Sequence, residues 1–575
     1  MKKYLLTLLV FTFSAIAFAQ LQPAPKFAAK AQKAIVSVNT YDKKGDLMKS
    51  GVAFYIGPNG EAIADYALFK GASKAIVVDA DGKQNEVECI LGADDTYSIV
   101  RFRVNVKGNA SVAPVKYMQS VGTTVYALNF SKEKITVCPV ATIASLDSIN
   151  GKYAYYKFSN DMGNQYVGGP VFNSGGELIG ILHSALGQGN ALNSYALDIR
   201  YRLELKISAI QSRSASMALA SINIPKGLPD TMEECLVYAY FKSRTAGNDE
   251  YLDLMNRFVA TYPQCAEAYY RRSVPLTDLY RFDEADADLQ KYLSLVDDKA
   301  VANHNVAQAI YNKVHFIPEQ PYEKWTPELA LDYVNKAIEL ETAANRAESP
   351  ANLIKSRELK AQILMKLKDY AGAIAMYEQL NQGENKSPAY FYAMSIAKEQ
   401  RGDSVDVIVA DLDSAVAMFP EPLPSDAAPF VLHRGQVKAN AGRYRAAVAD
   451  YNQYVYLMNS KVSDVFYYDR SQIESNARMY QQAIDDLNTA ISMAPGNAVY
   501  YVEKAALCLR VNMIDECISA CNSALAIRDD ITTAYRIRGY AEIQKKDLKA
   551  ARASLQKAID MGDEAAAELM KTYIK

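Results

Sequence analysis

Apolar and polar residues alternate in two different rhythms along this chain. From Ala34 to Leu205 the apolar residues come in short β-branched runs: Ala34-Ile35-Val36-Ser37-Val38, Val52-Ala53-Phe54-Tyr55-Ile56 and Ala75-Ile76-Val77-Val78. Turn signals separate them, at Pro58-Asn59-Gly60, Asp81-Gly82 and Ser174-Gly175-Gly176. Strands this short and this evenly spaced predict an all-β barrel or sandwich. Between Gln211 and Asp230 the chain becomes rich in Ser and Ala and then carries Pro225 and Pro229. That is the composition of a linker, placed at 213–229. Beyond it, strand patterns give way to a long recurrence. Tyr467, Tyr501 and Tyr535 are 34 residues apart, as are Ala483, Cys517 and Ala551, and Ala490, Ala524 and Ala558.

A finer signature sits inside that period. A small residue is followed by another 12 later, then by positions 4 and 3 further on. It reads Ser273/Ala285/Leu289/Tyr292, Ala361/Ala373/Tyr377/Leu380 and Gly435/Ala447/Tyr451/Tyr454, and it continues as Ser471/Ala483/Leu487/Ala490, Ala505/Cys517/Cys521/Ala524 and Gly539/Ala551/Leu555/Ala558. Small residues at this offset let two antiparallel helices approach closely, and the later steps keep one apolar face on the second helix. A helix–turn–helix unit of this length resembles a tetratricopeptide repeat. The gaps Ser273–Ala361 and Ala361–Gly435 each leave room for a divergent unit, so residues 230–575 are expected to hold about eight units stacked as an all-α solenoid. The first helix of each unit would line a groove, with Tyr270, Tyr468, Gln472, Arg536 and Tyr540 turned toward it. Aromatic and Arg side chains anchor interfaces, so a protein or peptide partner is expected there. Repeats of this family that clamp a C-terminal carboxylate use Lys and Asn where this chain has Val502, Ala506 and Thr533, which disfavours that ligand.

Composition narrows the function classes. The 575 residues exceed one compact core. Lys+Arg number 63 against Asp+Glu 65, without a block of like charge, which argues against a nucleic-acid binder. Met1-Lys2-Lys3-Tyr4 precedes an apolar run from Leu5 to Ala19 that ends in Ala17-Phe18-Ala19, the pattern of a signal peptide spanning residues 1–19. The product is expected to be exported, periplasmic or extracellular, without a transmembrane segment or a lipid anchor on a mature N-terminal Cys. Its seven cysteines are Cys89, Cys138, Cys235, Cys265, Cys508, Cys517 and Cys521. An oxidising compartment is compatible with a Cys89–Cys138 bridge. Cys517 and Cys521 share a helical face but lack further ligands, so neither a metal nor another cofactor is expected.

The front half resembles the HtrA/Deg-type, trypsin-like serine proteases over roughly residues 30–210. Gly51-Val52-Ala53-Phe54-Tyr55-Ile56 with Gly60 matches that family's opening. Gly92-Ala93-Asp94-Asp95 matches the segment before its catalytic Asp, and Val121-Gly122 through Val125-Tyr126-Ala127 the start of its second barrel. Thr136-Val137 to Ile143-Ala144-Ser145-Leu146 matches the next strand. Gly168-Gly169-Pro170-Val171-Phe172-Asn173 with Gly176-Glu177-Leu178-Ile179-Gly180-Ile181 matches the stretch around its nucleophile. The resemblance implies an all-β double barrel over 20–212 with a cleft between the barrels. The positions that carry the family's chemistry differ. Ala67 stands at the histidine, Ser98 at the aspartate and Val167 at the nucleophile, while Gln165 replaces the glycine two before it. A serine nucleophile needs a base and a group that orients the base. Only four histidines occur, His183, His304, His315 and His433, and the sole one in this region, His183, reads as structural.

The expectation is therefore an exported, catalytically inactive trypsin-like domain joined to repeats that bind protein. The alternative is a serine-type peptidase with a non-standard or partner-completed site. The former substrate cleft, around Tyr66, Tyr166 and Val167, is the competing place for a partner.

Overall fold

The computed structural model describes residues 21–186 and 193–574; the segment 1–19, expected from the sequence to be a signal peptide, lies outside them. The chain divides into two compact units, the first ending at Leu295 and the second beginning at Val296.

In the first unit, β1 (Leu21–Pro23) and helix α1 (Ala28–Ala31) precede β2 (Ile35–Tyr41), β3 (Leu47–Tyr55) and β4 (Glu61–Asp65). Helix α2 (Tyr66–Phe69) leads to β5 (Lys74–Val78), β6 (Gln84–Asp94) and β7 (Ile99–Val104). These six strands, β2 to β7, close into an antiparallel barrel in the order β2-β3-β4-β7-β6-β5. Then come β8 (Thr124–Ala127), β9 (Val137–Ile149), β10 (Tyr153–Phe158), β11 (Pro170–Asn173), β12 (Leu178–Leu186) and β13 (Asn193–Asp198). They run β9-β10-β13-β12-β11-β8, and a further β8–β9 pairing closes the ring, with β1 added on β9. Inward residues such as Phe54, Ile63, Phe102, Tyr156 and Phe172 are fully buried, as alternation along barrel strands requires.

The segment 213–229 is not the exposed linker that its composition suggests. Ser212 Oγ accepts from the Ala215 N–H at 3.2 Å and caps helix α3 (Arg213–Ala220), which packs on β6. Ala218, Leu219, Ile222 and Ile224 are buried in the barrel core. The chain then follows β6: the Ile90 N–H donates to Pro225 O, and the Gly227 N–H to Ile90 O, both at 2.8 Å. Ser and Ala read as linker by composition, yet Ala is the strongest helix former and Ser a strong cap. Nor does a Cys89–Cys138 bridge form. Cys89 lies on β6 of one barrel, Cys138 on β9 of the other, and all seven cysteines are free and buried.

Helices occupy the rest. The first unit continues with α4 (Met232–Lys242), α5 (Asn248–Thr261), α6 (Ala266–Asp278) and α7 (Phe282–Leu295). The second holds α8 (Lys299–Phe316), α9 (Pro327–Ala344), α10 (Ser349–Lys366), α11 (Tyr370–Leu380), α12 (Pro388–Arg401), α13 (Val405–Ala417), α14 (Ala428–Asn440) and α15 (Tyr444–Leu457). It ends with α16 (Asp464–Asn476), α17 (Tyr480–Met493), α18 (Ala498–Arg510), α19 (Ile514–Ile527), α20 (Thr532–Gln544), α21 (Leu548–Asp560) and α22 (Glu564–Tyr573). In the first unit α6 and α7 pack as a hairpin, and in the second α8/α9 through α20/α21 do so pair by pair, with α8/α9 and α12/α13 filling the two gaps in the signature. The small residues form the seams. Ala361, Ala373, Ala483, Cys517 and Ala551 are fully buried, and a Cβ added at Gly539 would stand 2.7 Å from Leu555 Cγ.

A charged strut stands beside three of the seams, those of Ser273, Gly435 and Ser471. Arg470 on α16 grips Asp486 on α17 through Nε and a terminal nitrogen, at 2.6 and 2.7 Å, and reaches back to Asn452 on α15 at 2.9 Å. Arg272 does the same with Asp288 and Asn256, and Arg434 with Asp450 and Asp413. Arg538 has Ser554 and Asn522 instead.

Glu474, one turn beyond Arg470, is buried, with Oε2 unpartnered among the described residues. Burial first, then the charge of Asp486, push its carboxyl up to about 8 against the pull of Arg470. An unfolded Glu ionises near ~4.3, so between there and about 8 the folded chain keeps a proton that the unfolded chain has lost. This stabilising contribution is whole below the unfolded value, falls as pH rises through the window and is gone above it. Glu474→Gln is therefore expected to be more stable than the parent by about 1–2 kcal/mol at pH ~8.5, the gain shrinking toward pH ~5. Urea midpoints across that range check it, and a gain independent of pH would contradict it.

Candidate functional site

Two places gather candidate chemistry. The first is the region of Asp65, Ser98 and Val167, where the resemblance places a substrate cleft. The turn after β4 starts α2, where Asp65 Oδ1 accepts from the Ala67 N–H at 2.8 Å. Ala67 is exposed at the position that the resemblance gives to histidine, and its carbonyl takes Lys49 Nζ at 2.6 Å. Ser98, at φ 45°, donates its hydroxyl to the same Asp65 Oδ1 at 2.7 Å. Val167 follows a single 3-10 turn, Asn164–Tyr166, and donates its N–H back to Asn164 O at 3.2 Å. The next two amides are also engaged, Gly168 with Leu182 O at 2.8 Å and Gly169 with Tyr166 O at 2.9 Å. An oxyanion hole needs N–H donors aimed at the developing charge; here the amide at the nucleophile position bonds within its own loop.

The sequence places Tyr66 in this cleft, but it is buried in the barrel core, its hydroxyl 2.6 Å from Ser221 Oγ. Tyr166 packs half-buried against that core. His183, on β12, is structural on one side only. Its Nδ1 lies 2.7 Å from the Tyr155 hydroxyl, while Nε2 is buried without a partner among the described residues. Burial lowers the imidazole's affinity for a proton, and the nearby charge of Asp65 opposes it. The serine in the cleft thus bonds a carboxylate, and the imidazole a phenol. A nucleophile–base hydrogen bond between Ser98 and His183 is not among these contacts.

The second place is a groove of about 630 Å³ in the second unit. His433, Gln436 and Asn440 enter it from α14, and Asp469, Gln472 and Asn476 from α16, with Glu399 of α12 at its side. Spacings of three and four residues set each trio on one helical face. Of the five predicted groove residues, Gln472 lines this opening. Tyr468 stacks on Tyr500 of α18 with ring centres 5.3 Å apart. Arg536 bonds Asp563 at 2.8 Å, and Tyr540 meets the ring of Tyr573 edge-on, so both engage the last helix. Tyr270, in the first unit, lies against Tyr292 at 5.2 Å. The remaining groove residues carry a signal in the sequence: Gln436-x-x-x-Asn440 recurs 36 residues later as Gln472-x-x-x-Asn476. Among the described residues, no group of three or more His, Cys, Asp or Glu side chains is arranged to hold a metal, and no helix is long and apolar enough to cross a membrane.

A family profile described as Tetratricopeptide repeat matches residues 354–382, from within α10 to just past the end of α11. Among curated proteins, the chain is similar to the DnaJ protein P58IPK homolog of Arabidopsis thaliana, 27% identical over 212 residues, 34% of this chain and 42% of that protein. It is also similar to the DnaJ protein P58IPK homolog B of Oryza sativa subsp. japonica, 26% identical over 235 residues, 37% of this chain and 48% of that protein. The chain thus spans less than half the length of these relatives. Among solved structures, it is similar to the serine endoprotease from Yersinia pestis, 18% identical with a TM-score of 0.26, covering 30% of this chain and 62% of that one. Two closed six-stranded barrels are thus followed by helical hairpins, one of which matches the tetratricopeptide repeat.

Proposed function

We propose that this protein is an exported scaffold: its repeats bind a protein or peptide partner, and its trypsin-like barrels are catalytically inactive. The observation that carries the second half is the content of the cleft. Ala67 and Val167 stand where a base and a nucleophile would, and Ser98 gives its hydroxyl to Asp65 at 2.7 Å. Enzymes of this class stripped of triad members keep only about 10³–10⁴-fold over water. The open groove between α12, α14 and α16 supports the first half, and the apolar run Leu5–Ala19 supports export. The mature chain is expected neither to cleave casein nor to react with a fluorophosphonate probe. Robust labelling of a single residue would overturn the inactive reading.

One observation favours a second reading, a peptidase with a non-standard site: His183 Nε2 is buried, without a partner among the described residues and near Asp65. Labelling or cleavage that vanishes in His183→Ala would establish it.

A further inference from the structure

We infer that the groove of the second unit takes an extended peptide segment whose lysine or arginine side chains lie against Glu399 and Asp469. This rests on the scaffold reading and goes further by naming the partner's chemistry. Gln436, Asn440, Gln472 and Asn476 make no side-chain hydrogen bond among the described residues, although all four line the same opening. Each amide offers both a donor and an acceptor. That pairing matches a backbone that still has its own N–H and C=O groups free. An extended strand has them; a helix has already used its own.

Charge selects the side chains. Glu399 and Asp469 both face the groove, and the lining adds one basic group, His433, whose Nε2 is 3.5 Å from Glu399 Oε2. That nitrogen is buried and makes no hydrogen bond among the described residues, so it leaves the carboxylate available. The arginines nearby stand at the loop edge. Arg443 is paired with Asp406 at 2.6 Å, and Arg445 and Arg478 border a separate hollow beside Tyr444 and Asn476. A basic side chain is repelled from that edge and drawn to the carboxylates. A nucleic-acid strand, with a phosphate at every step, meets the reverse.

The test uses the full mature chain and fluorescein-labelled Gly/Ser peptides, blocked at both ends, with lysine or glutamate at alternate positions. Fluorescence anisotropy should show the lysine peptide binding at least about tenfold more tightly than the glutamate peptide, and more weakly as salt rises. Glu399→Gln with Asp469→Asn should weaken it about tenfold, and Gln436→Ala with Gln472→Ala should weaken it comparably, both at unchanged circular dichroism and melting. A lysine peptide with N-methylated backbone amides should also lose affinity. Equal binding of the two peptides, or lysine-peptide binding untouched by the carboxylate variants, overturns the inference. The scaffold reading is judged separately, by a photo-crosslinker at Ala439 in the groove. A protein captured there while the lysine peptide fails leaves a scaffold with a partner of other chemistry.

Discussion

Replacing Arg470 by alanine is expected to lower the stability of the second unit by about 3–5 kcal/mol, the range for removing one partner of a buried ion pair. The guanidinium is 12% exposed and Asp486 9%, so both charges have left water. In that setting their energy depends on completed geometry, and it is complete. The fork is bidentate, Asn452 accepts a third N–H, and the cation stands 5.4 Å from the centre of the Tyr467 ring. Alanine leaves the Asp486 carboxylate buried with its main counter-ion gone and Glu474 close by. Arg538→Ala, at the same place in a later repeat, is expected to cost less, because its hydrogen-bond partners Ser554 and Asn522 are neutral and the carboxylate beside it, Glu542, stands 3.8 Å away instead of in a bidentate fork. Arg470→Met combined with Asp486→Leu should recover most of the loss, since the apolar pair removes the desolvation cost with the attraction. Arg528, whose pair with Asp530 is exposed, is the control and should change nothing measurable. Urea unfolding followed by helical circular dichroism reads all four. A cost for Arg470→Ala no larger than that of the Arg528 control would mean that the struts are ornamental and the small-residue seams alone hold the hairpins.

The same contrast explains what was legible in the sequence. Ser273, Gly435, Ser471 and Gly539 announce the hairpins because a seam between helices tolerates only small side chains, a constraint visible at each position by itself. The struts were hidden. Arg470 and Asp486 are 16 residues apart, a spacing that means nothing until the hairpin has folded. In the barrels, the residues that carry the protease resemblance are those that the backbone constrains. A Cβ on Gly169 would stand 2.5 Å from Leu128 O, and one on Gly180 2.5 Å from Leu197 O. Ala67 is exposed and Ser98 and Val167 are half-buried, so core packing restricts the residue type there less than at those glycines, and the fold signal separates from the signal at the triad positions. The groove misled sequence reasoning in the opposite direction. Counting along first helices selected Gln472, which does line the opening, but also aromatic and Arg side chains, and such large side chains find partners within the repeats, as Tyr468 and Arg536 do. Short amides and carboxylates cannot reach across, so Gln472, Asn476 and Asp469 remain facing the opening.

Gly60→Ala is expected to unfold or severely loosen the first barrel, at a cost of about 3–5 kcal/mol, and Gly51→Ala much less, although both belong to the same sequence motif. Gly60 turns the chain from β3 into β4 at φ 77°. An L-residue in that region costs roughly 1–2 kcal/mol before any contact is considered. The added Cβ would then lie 2.0 Å from the backbone oxygen of Val104, the last residue of β7, and 3.2 Å from Val106 O just beyond it. Relief would require moving β7, yet the Val104 N–H donates to Gly60 O at 2.9 Å, and Asn109 Oδ1 accepts from the Gly60 N–H at the same distance. The clash therefore falls on hydrogen bonds that close the barrel. Gly51 has no such difficulty. It is not among the positive-φ residues, and a Cβ there would meet the tip of Leu68, 2.6 Å away, a side chain free to change rotamer. In a thermal melt of the full chain, Gly60→Ala should abolish or strongly lower the transition of the barrels while the helical signal of the repeats persists. Equal, small effects of the two substitutions would mean that the β3–β4 turn can relax, and that Gly60 marks the motif without constraining the fold.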